Sequence, residues 1–364
     1  MLLDPTNWQV LGSPQLNDGD SKEYNSILPY MVANWPHHVR LHAEESIDDR
    51  LKSLVKKFLG SPKEGSAAYM SWSDAFPEGS GVVFQSQLPE LPSPAIAIVF
   101  FSLNQILPNW WTSKIDVDSR DADGKSLLHI AGMGGNATAA AELLALGANP
   151  NTLHKSKGTA LHVAAGSGSE AIFGLLLAPG ADINAQGGEF GNALQAAAYI
   201  DREAIVYLLL DRGADINAQG GYLGNALQAA AYSGREAIFR LLLDRGADIN
   251  PQLTFSDEFQ AATYNGNEAI VRLLLDRGAD INAQGGHFGN ALQAAASTDC
   301  EAIVRLLLDR GADINAQGGH CGNALQAVAS SSSEEMVRFL LNRGASIDAQ
   351  SGEFGHALRG SRSA

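Results

Sequence analysis

The feature that most constrains this chain is a phrase it repeats, Gly-Ala-Asp-Ile-Asn-Ala-Gln or a close variant, whose Gly falls at Gly147, Gly180, Gly213, Gly246, Gly278, Gly311 and Gly344. Successive copies lie 33, 33, 33, 32, 33 and 33 residues apart. A period in that range marks a solenoid of stacked supersecondary units. Such a stack is held by the interfaces between neighbouring units, and its extended surface suits binding better than catalysis.

Residues 220–252 show the parts of one unit. The segment from Asn225 to Tyr232 follows a Gly-rich turn. Asn at a helix start caps free N–H groups, and the alanines favour helix while permitting close approach of a neighbour. Ser233-Gly234 breaks this first helix, and Arg235 to Arg245 carries apolar residues at helical spacing, so a second helix is predicted there. Gly246 then supplies a C-terminal glycine cap. One helix pair is too small to bury Ile238, Leu241 and Leu242. Each such side chain contributes about 1.5–3 kcal/mol when buried, so stacking supplies most of the stability.

These residues resemble the ankyrin repeat, whose pattern runs Asp-x-x-Gly-x-Thr-Pro-Leu-His-x-Ala-Ala, Gly-His, Ile-Val-x-Leu-Leu-Leu and Gly-Ala-Asp-x-Asn-Ala. Seven units match: 121–153, 154–186, 187–219, 220–252, 253–284, 285–317 and 318–350. Lys125 to His129 and Gly158 to His162 keep much of the family tetrad, whereas Asn192 to Gln195, Asn225 to Gln228, Asn290 to Gln293 and Asn323 to Gln326 read Asn-Ala-Leu-Gln. Gly187 and Gly220 replace the family's turn Asp, a departure that questions the usual hairpin geometry. The unit 253–284 carries Glu258 and Phe259 where its neighbours carry Ala and Leu. Residues 91–120 resemble a degenerate leading repeat, with Ser93 to Ile96 at the tetrad, Ile106-Leu107 and Trp110-Trp111 in its second helix, and Pro108 between them. Residues 351–364 begin an eighth copy without its second helix. That arrangement leaves Met336, Phe339 and Leu340 on an exposed, association-prone C-terminal face of a chain expected to be monomeric.

The resemblance implies an all-α ankyrin-repeat solenoid with a small helical N-terminal region, and a non-enzymatic scaffold that binds a protein through its concave surface. In residues 1–90, apolar Leu51, Leu54, Val55, Phe58 and Leu59 predict an amphipathic helix near 45–59. The stretch 28–38, with Tyr30, Trp35 and His38, and the stretch 67–72 resemble the connector before the repeats of fungal NACHT–ankyrin proteins, the NLR-like receptors. The Gly-Gly-x-Phe-Gly-Asn-Ala-Leu-Gln style of repeat resembles the same group. That likeness implies the sensor part of a receptor without its nucleotide-binding domain; an ankyrin-type regulator of a transcription factor is the other alternative.

Composition narrows the partners. A formal net charge of -15 gives no basic stripe for nucleic acid. Cys300 and Cys321 stand at non-equivalent positions of neighbouring repeats, so no disulfide framework or metal knuckle is encoded, and an intracellular setting fits. The longest apolar run, Ala95 to Phe101, is far too short for a bilayer, and the N-terminus has no signal-peptide pattern. A cytoplasmic protein with no cofactor, no nucleic acid and no membrane partner is expected, with a nuclear location left open.

Several constellations imitate chemistry. Gly124-Lys125-Ser126 matches the end of a phosphate loop, but Ser119 stands where its first Gly belongs. Asp116, Asp118, Asp121 and Asp123 imitate a calcium loop, yet Ser119 and Ile130 occupy its first and twelfth places. His38, His42 and Glu45 share a helix face but lack the zincin Glu. His129 and His162 occupy the tetrad position, where the family uses His to hydrogen-bond turns. None makes an active site.

Recognition must then come from positions that vary between near-identical repeats. One ladder follows the alanines of the first helix: Phe100, Met133, Gly166, Tyr199, Tyr232, Tyr264, Ser297 and Ser330. In ankyrin proteins the matching position faces the concave groove, so Tyr199, Tyr232 and Tyr264 are candidates, spaced about 8–10 Å apart if the helices pack normally. A second ladder lies in the turns and offers Phe190, Tyr222, His287 and Phe288, beside Glu189, Leu223, His320, Cys321, Glu353 and Phe354.

Overall fold

A computed structural model describes residues 93–347, apart from 101, 106, 108–114, 122, 179, 250–257, 286, 321 and 332, together with a few positions between 52 and 65. Within the expected helix 45–59, Lys52, Ser53, Lys56 and Leu59 are described, and all are helical. Tyr30, Trp35, His38, His42, Glu45, Trp110, Trp111, Cys321 and the segment 351–364 lie outside the described residues. The named elements are fifteen α-helices and one 3-10 turn, with no strand among the described residues. They fall into two compact units, Met1–Ala148 and Asn149–Ala364.

In the first unit, α1 (Pro94–Phe100) is followed by the 3-10 turn Leu103–Gln105, then α2 (Leu127–Gly134) and α3 (Ala137–Ala145). Pro94 opens α1, where its missing N–H would have had no helical partner. Helix α1 packs on α2 so closely that a Cβ at Gly134 would stand 2.9 Å from the Phe100 carbonyl oxygen. Asn136 caps α3 by accepting from the Ala139 N–H at 3.0 Å. Its amide also donates to Val99 O and Asn104 Oδ1, both at 2.8 Å, tying α3 to the preceding elements.

The second unit is a double row. Its first helices are α4 (Ala160–Ser167), α6 (Ala193–Tyr199), α8 (Ala226–Ser233), α10 (Glu258–Tyr264), α12 (Ala291–Ser297) and α14 (Ala324–Ser331). Its second helices are α5 (Glu170–Leu177), α7 (Glu203–Asp211), α9 (Glu236–Asp244), α11 (Glu268–Asp276), α13 (Glu301–Asp309) and α15 (Glu334–Asn342). Each first helix packs on the next first helix as well as on its own partner. The alanines explain this: Ala229, Ala230 and Ala231 are all fully buried, so α8 is enclosed on nearly every side without large side chains forcing its neighbours apart. On α9, Ile238, Phe239 and Leu242 fill the space between rows, while Arg240 turns outward to Glu236 at 2.5 Å. Phe259 is buried at the place where neighbouring repeats use Leu.

The repeated phrase is a device for joining repeats. Its Gly takes the left-handed backbone that follows a helix, as at Gly213 with φ 86°. Its Asp closes a local turn, Asp215 Oδ1 accepting from the Asn217 N–H at 3.0 Å. Its Asn then receives the next repeat. Asn184 Oδ1 accepts from the Asp215 N–H at 2.8 Å, Asn217 from Asp248 at 3.0 Å, Asn282 from Asp313 at 2.8 Å and Asn315 from Ser346 at 2.8 Å. Alongside, Asp211–Arg245, Asp244–Arg277, Asp276–Arg310 and Asp309–Arg343 pair at 2.8–3.0 Å. These exposed pairs add at most about 1 kcal/mol each.

The C-terminal expectation needs correction. Met336 and Leu340 are buried rather than exposed. Phe339 is only half-buried, yet Arg305 and Arg343 lie over its ring at 4.1 and 5.0 Å from the centroid. No helix among the described residues is long and apolar enough to cross a membrane.

Candidate interaction surface

The surface begins with the turns between repeats. Replacement of the turn Asp by Gly leaves these turns closed: Gly187 N–H donates to Gly191 O at 2.7 Å and Gly220 N–H to Gly224 O at 2.7 Å. Gly285 and Gly289 close the same way at 2.7 Å, and Gly318 and Gly322 at 2.8 Å. Successive tips also bond to each other. Glu189 N–H donates to Ser156 O at 3.0 Å, Tyr222 N–H to Glu189 O at 3.1 Å, and His320 N–H to His287 O at 2.8 Å. Backbone stacking this close requires glycine at Gly221, where φ is 63° and a Cβ would lie 2.2 Å from the Phe190 carbonyl carbon.

The tetrads anchor the tips from below. Thr159 Oγ1 meets His162 Nδ1 at 2.9 Å, and His162 Nε2 reaches Gly191 O of the next turn at 3.2 Å. Burial lowers the His162 pKa from its ordinary value, and the bond to Gly191 opposes that shift only in part. In the later repeats Asn192 Oδ1 caps α6 by accepting from the Gln195 N–H at 2.9 Å. Gln195 Nε2 then reaches Gly224 O at 2.5 Å and Gly220 O at 3.1 Å. Gln293 serves Gly322 O and Gly318 O at 2.9 and 3.2 Å, and Gln260 serves Gly285 O at 2.8 Å.

On this frame the two sequence ladders meet. Phe190 and Tyr199 lie 5.1 Å apart between ring centroids, Phe190 and Tyr222 5.8 Å, and Tyr199 and Tyr222 6.4 Å. Tyr199 and Tyr232 stack at 6.4 Å, closer than the 8–10 Å expected from helix spacing alone. Among the described residues no ring contact joins Tyr232 to Tyr264. The second group starts afresh with Tyr264 stacked on Phe288 at 4.7 Å, Phe288 meeting His287 at 5.0 Å, and His287 stacked on His320 at 5.1 Å. The single strip expected from the tyrosines is therefore two clusters. Tyr222, Tyr232 and Tyr264 are 58%, 39% and 41% exposed, large values for aromatic rings. Desolvation within the cluster, followed by a hydrogen bond to Tyr199, pushes the Tyr222 hydroxyl well above its ordinary pKa.

The residues that imitated other chemistry are occupied in the fold. Lys125 is buried, and its ammonium pairs with Asp121 at 3.1 Å and Asp123 at 2.5 Å. Burial penalises that charge, but the hydrogen bonds and charges of Asp123 and Asp121 outweigh it and raise the Lys125 pKa. His129 is fully buried with Nδ1 at 2.7 Å from Ser126 Oγ. Among the described residues no three His, Cys, Asp or Glu side chains are grouped to hold a metal.

Helix pairs at a period near 33 residues, with bonded turn tips on one edge, define a repeat solenoid. The family model for ankyrin repeats matches three times, over residues 97–187, 187–252 and 259–351, and the chain belongs to the ankyrin-repeat family. Ankyrin repeats generally mediate protein–protein interaction. Among solved structures, the ankyrin repeat domain of human ASB11 is similar at 25% identity with a TM-score of 0.55, covering 61% of this chain and 99% of that one. No curated protein sequence matches at a significant level.

Proposed function

We propose that the chain is a non-enzymatic, cytoplasmic scaffold that binds a protein partner through the face built from first-helix ends and turn tips, the concave face of the family. The observation that carries this reading is the convergence of both variable ladders into contacting rings at Phe190, Tyr199, Tyr222 and Tyr232, and at Tyr264, Phe288 and His287. Exposed aromatic side chains held by rigid neighbours provide large contact area at little entropic cost. Within this reading, residues 91–120 act as a leading repeat, 121–350 as the binding array, and 1–90 as a connector. Changing Tyr199, Tyr232 and Tyr264 to Ser is expected to abolish capture of a native partner while the helical circular-dichroism signal is retained. Melting-temperature loss with capture intact would make the tyrosines packing residues instead.

A second reading, the sensor segment of an NLR-like receptor, is favoured by the Gly-Gly-x-Phe-Gly-Asn-Ala-Leu-Gln repeats. Genomic sequence upstream that encodes a nucleotide-binding domain in frame would support it, and its absence there would count against it.

A further inference from the structure

The chain treats the aromatic rings on its two faces differently. On the second-helix face, Arg245 lies over the Tyr207 ring at 5.4 Å, and Arg305 and Arg343 lie over Phe339 at 4.1 and 5.0 Å. Each of these rings receives a guanidinium from the chain itself. On the face of first-helix ends and turn tips, no Arg or Lys among the described residues lies over Phe190, Tyr199, Tyr222 or Tyr232. The arginines beside them are engaged elsewhere: Arg202 Nε donates to Gly166 O at 3.1 Å, and Arg235 holds Tyr199 O at 3.4 Å and Asp201 at 3.6 Å. Ring faces carry partial negative charge and attract cations, Arg above all. Glu189, exposed on the same turn as Phe190, adds a full negative charge beside them, and the whole chain carries -15.

We infer that the occupant of the Phe190–Tyr199–Tyr222–Tyr232 cluster is a basic segment of a protein partner, which lays Arg or Lys side chains on the open faces of Tyr222 and Tyr232 with Glu189 as their counter-charge. This deepens the docking reading above and rests on it. The long-range field of an acidic chain brings the segment in, and the rings fix where it sits.

The probe is a fluorescein-labelled dodecapeptide of alternating Arg and Ser, with a twin in which citrulline replaces every Arg. Citrulline keeps the shape of the side chain and removes its charge. Anisotropy with the full chain at physiological ionic strength is expected to show the Arg peptide binding and the citrulline peptide at least about tenfold weaker. Tyr222→Leu with Tyr232→Leu keeps apolar area and net charge but removes the ring faces, so it is expected to weaken the Arg peptide about tenfold. Tyr222→Leu alone, at an exposed position, provides the same test in a smaller form if the double variant folds poorly. No binding of the Arg peptide, or equal affinity for the leucine variants, overturns the inference. The broader docking reading fails by a different result: capture of the native partner unchanged by the triple serine variant. A partner lost by the serine variant but kept by the leucine variant leaves docking standing and removes the cationic occupant.

Discussion

In the repeat that starts at His154, Thr159 and His162 stand where the repeats starting at Gly187, Gly220, Gly285 and Gly318 carry Asn and Gln. Both pairs must cap a first helix and hold the next turn tip, and they divide the work differently. Thr159 leaves the cap to be shared with the imidazole, whose Nδ1 accepts from the Thr159 N–H at 3.1 Å, and one ring nitrogen reaches one carbonyl, Gly191 O. Asn192 caps without help from Gln195, whose Nε2 reaches the carbonyls of both Gly220 and Gly224 while its Oε1 is left without a hydrogen-bond partner. In the repeat that starts at Gly220 the cap is shared again, Gln228 Oε1 accepting from the Asn225 N–H at 2.9 Å. The two repeats also differ at their own tips. Lys155 stands in the His154 turn at the place of Gly221, whereas Gly188, Gly221 and Gly319 lie so close to the backbone of the preceding tip that a Cβ there would clash. His162 nevertheless holds a glycine tip, at Gly191, so a repeat array keeps one geometry while cap and bridge are exchanged as a pair.

The sharpest way to break this comparison is at the glycine tips. Gly221→Ala sets a methyl 2.2 Å from the Phe190 carbonyl carbon in a left-handed backbone, so the turn stack must part. Strain and overpacking together are expected to cost about 2–5 kcal/mol. Gly213→Ala meets nothing within 4 Å and carries only the backbone term, about 1–2 kcal/mol. Chemical denaturation of both variants checks the ordering, and equal losses would remove the close-approach argument.

Next in size is the bridge. Gln195→Leu leaves the Gly220 and Gly224 carbonyls without this donor in a part-buried site. A loss of about 1–3 kcal/mol is expected. Installing the earlier solution, Asn192→Thr with Gln195→His, should recover most of it. If the paired graft is no better than Gln195→Leu, cap and bridge are not exchangeable as a unit.

The period, the helix pairs, the Asn caps and the glycine after each second helix were all legible in the sequence, because each depends on local backbone preference. The union of the two ladders was not. Phe190 and Tyr199 are recognisable separately, but their contact depends on how far the tip folds over the helix end, which the glycine tips determine through tertiary packing. The same holds for Met336 and Leu340, expected to be exposed from a count of missing repeats yet buried in the folded chain. Gln195 was visible as a departure from the family tetrad, and its role as a bridge required the position of the following turn.

A smaller effect separates the tetrads by pH. His162 has a lowered pKa in the folded chain, so the unfolded chain takes up the proton first as pH falls through about 6.5. Stability is therefore expected to be full above that value and to decline from there down to the folded pKa. Thr159→Asn with His162→Gln removes the titrating group and should flatten that part of the stability–pH curve. An unchanged slope in the double variant would place the pH dependence elsewhere.

The smallest expected effect lies at the alkaline end and concerns the tip itself. Tyr222 stands where the His154 turn carries Ser156, and its hydroxyl is pushed up by desolvation among the rings and by its bond to Tyr199. An acid whose pKa is raised by folding stays protonated after the unfolded chain has lost its proton, so stability falls as pH rises above the ordinary phenol value of about 10. Tyr222 is more than half exposed to solvent, which screens the shift and keeps the slope shallow. Tyr222→Phe retains the ring contacts with Phe190 and Tyr199 while deleting the titration, and should reduce the alkaline decline without altering stability near neutrality by more than about 1 kcal/mol. If Tyr222→Phe instead lowers neutral stability as much as Gln195→Leu does, the Tyr222 hydroxyl holds the turn tips in place as strongly as the tetrad bridge, and the tip is part of the frame rather than a surface carried on it.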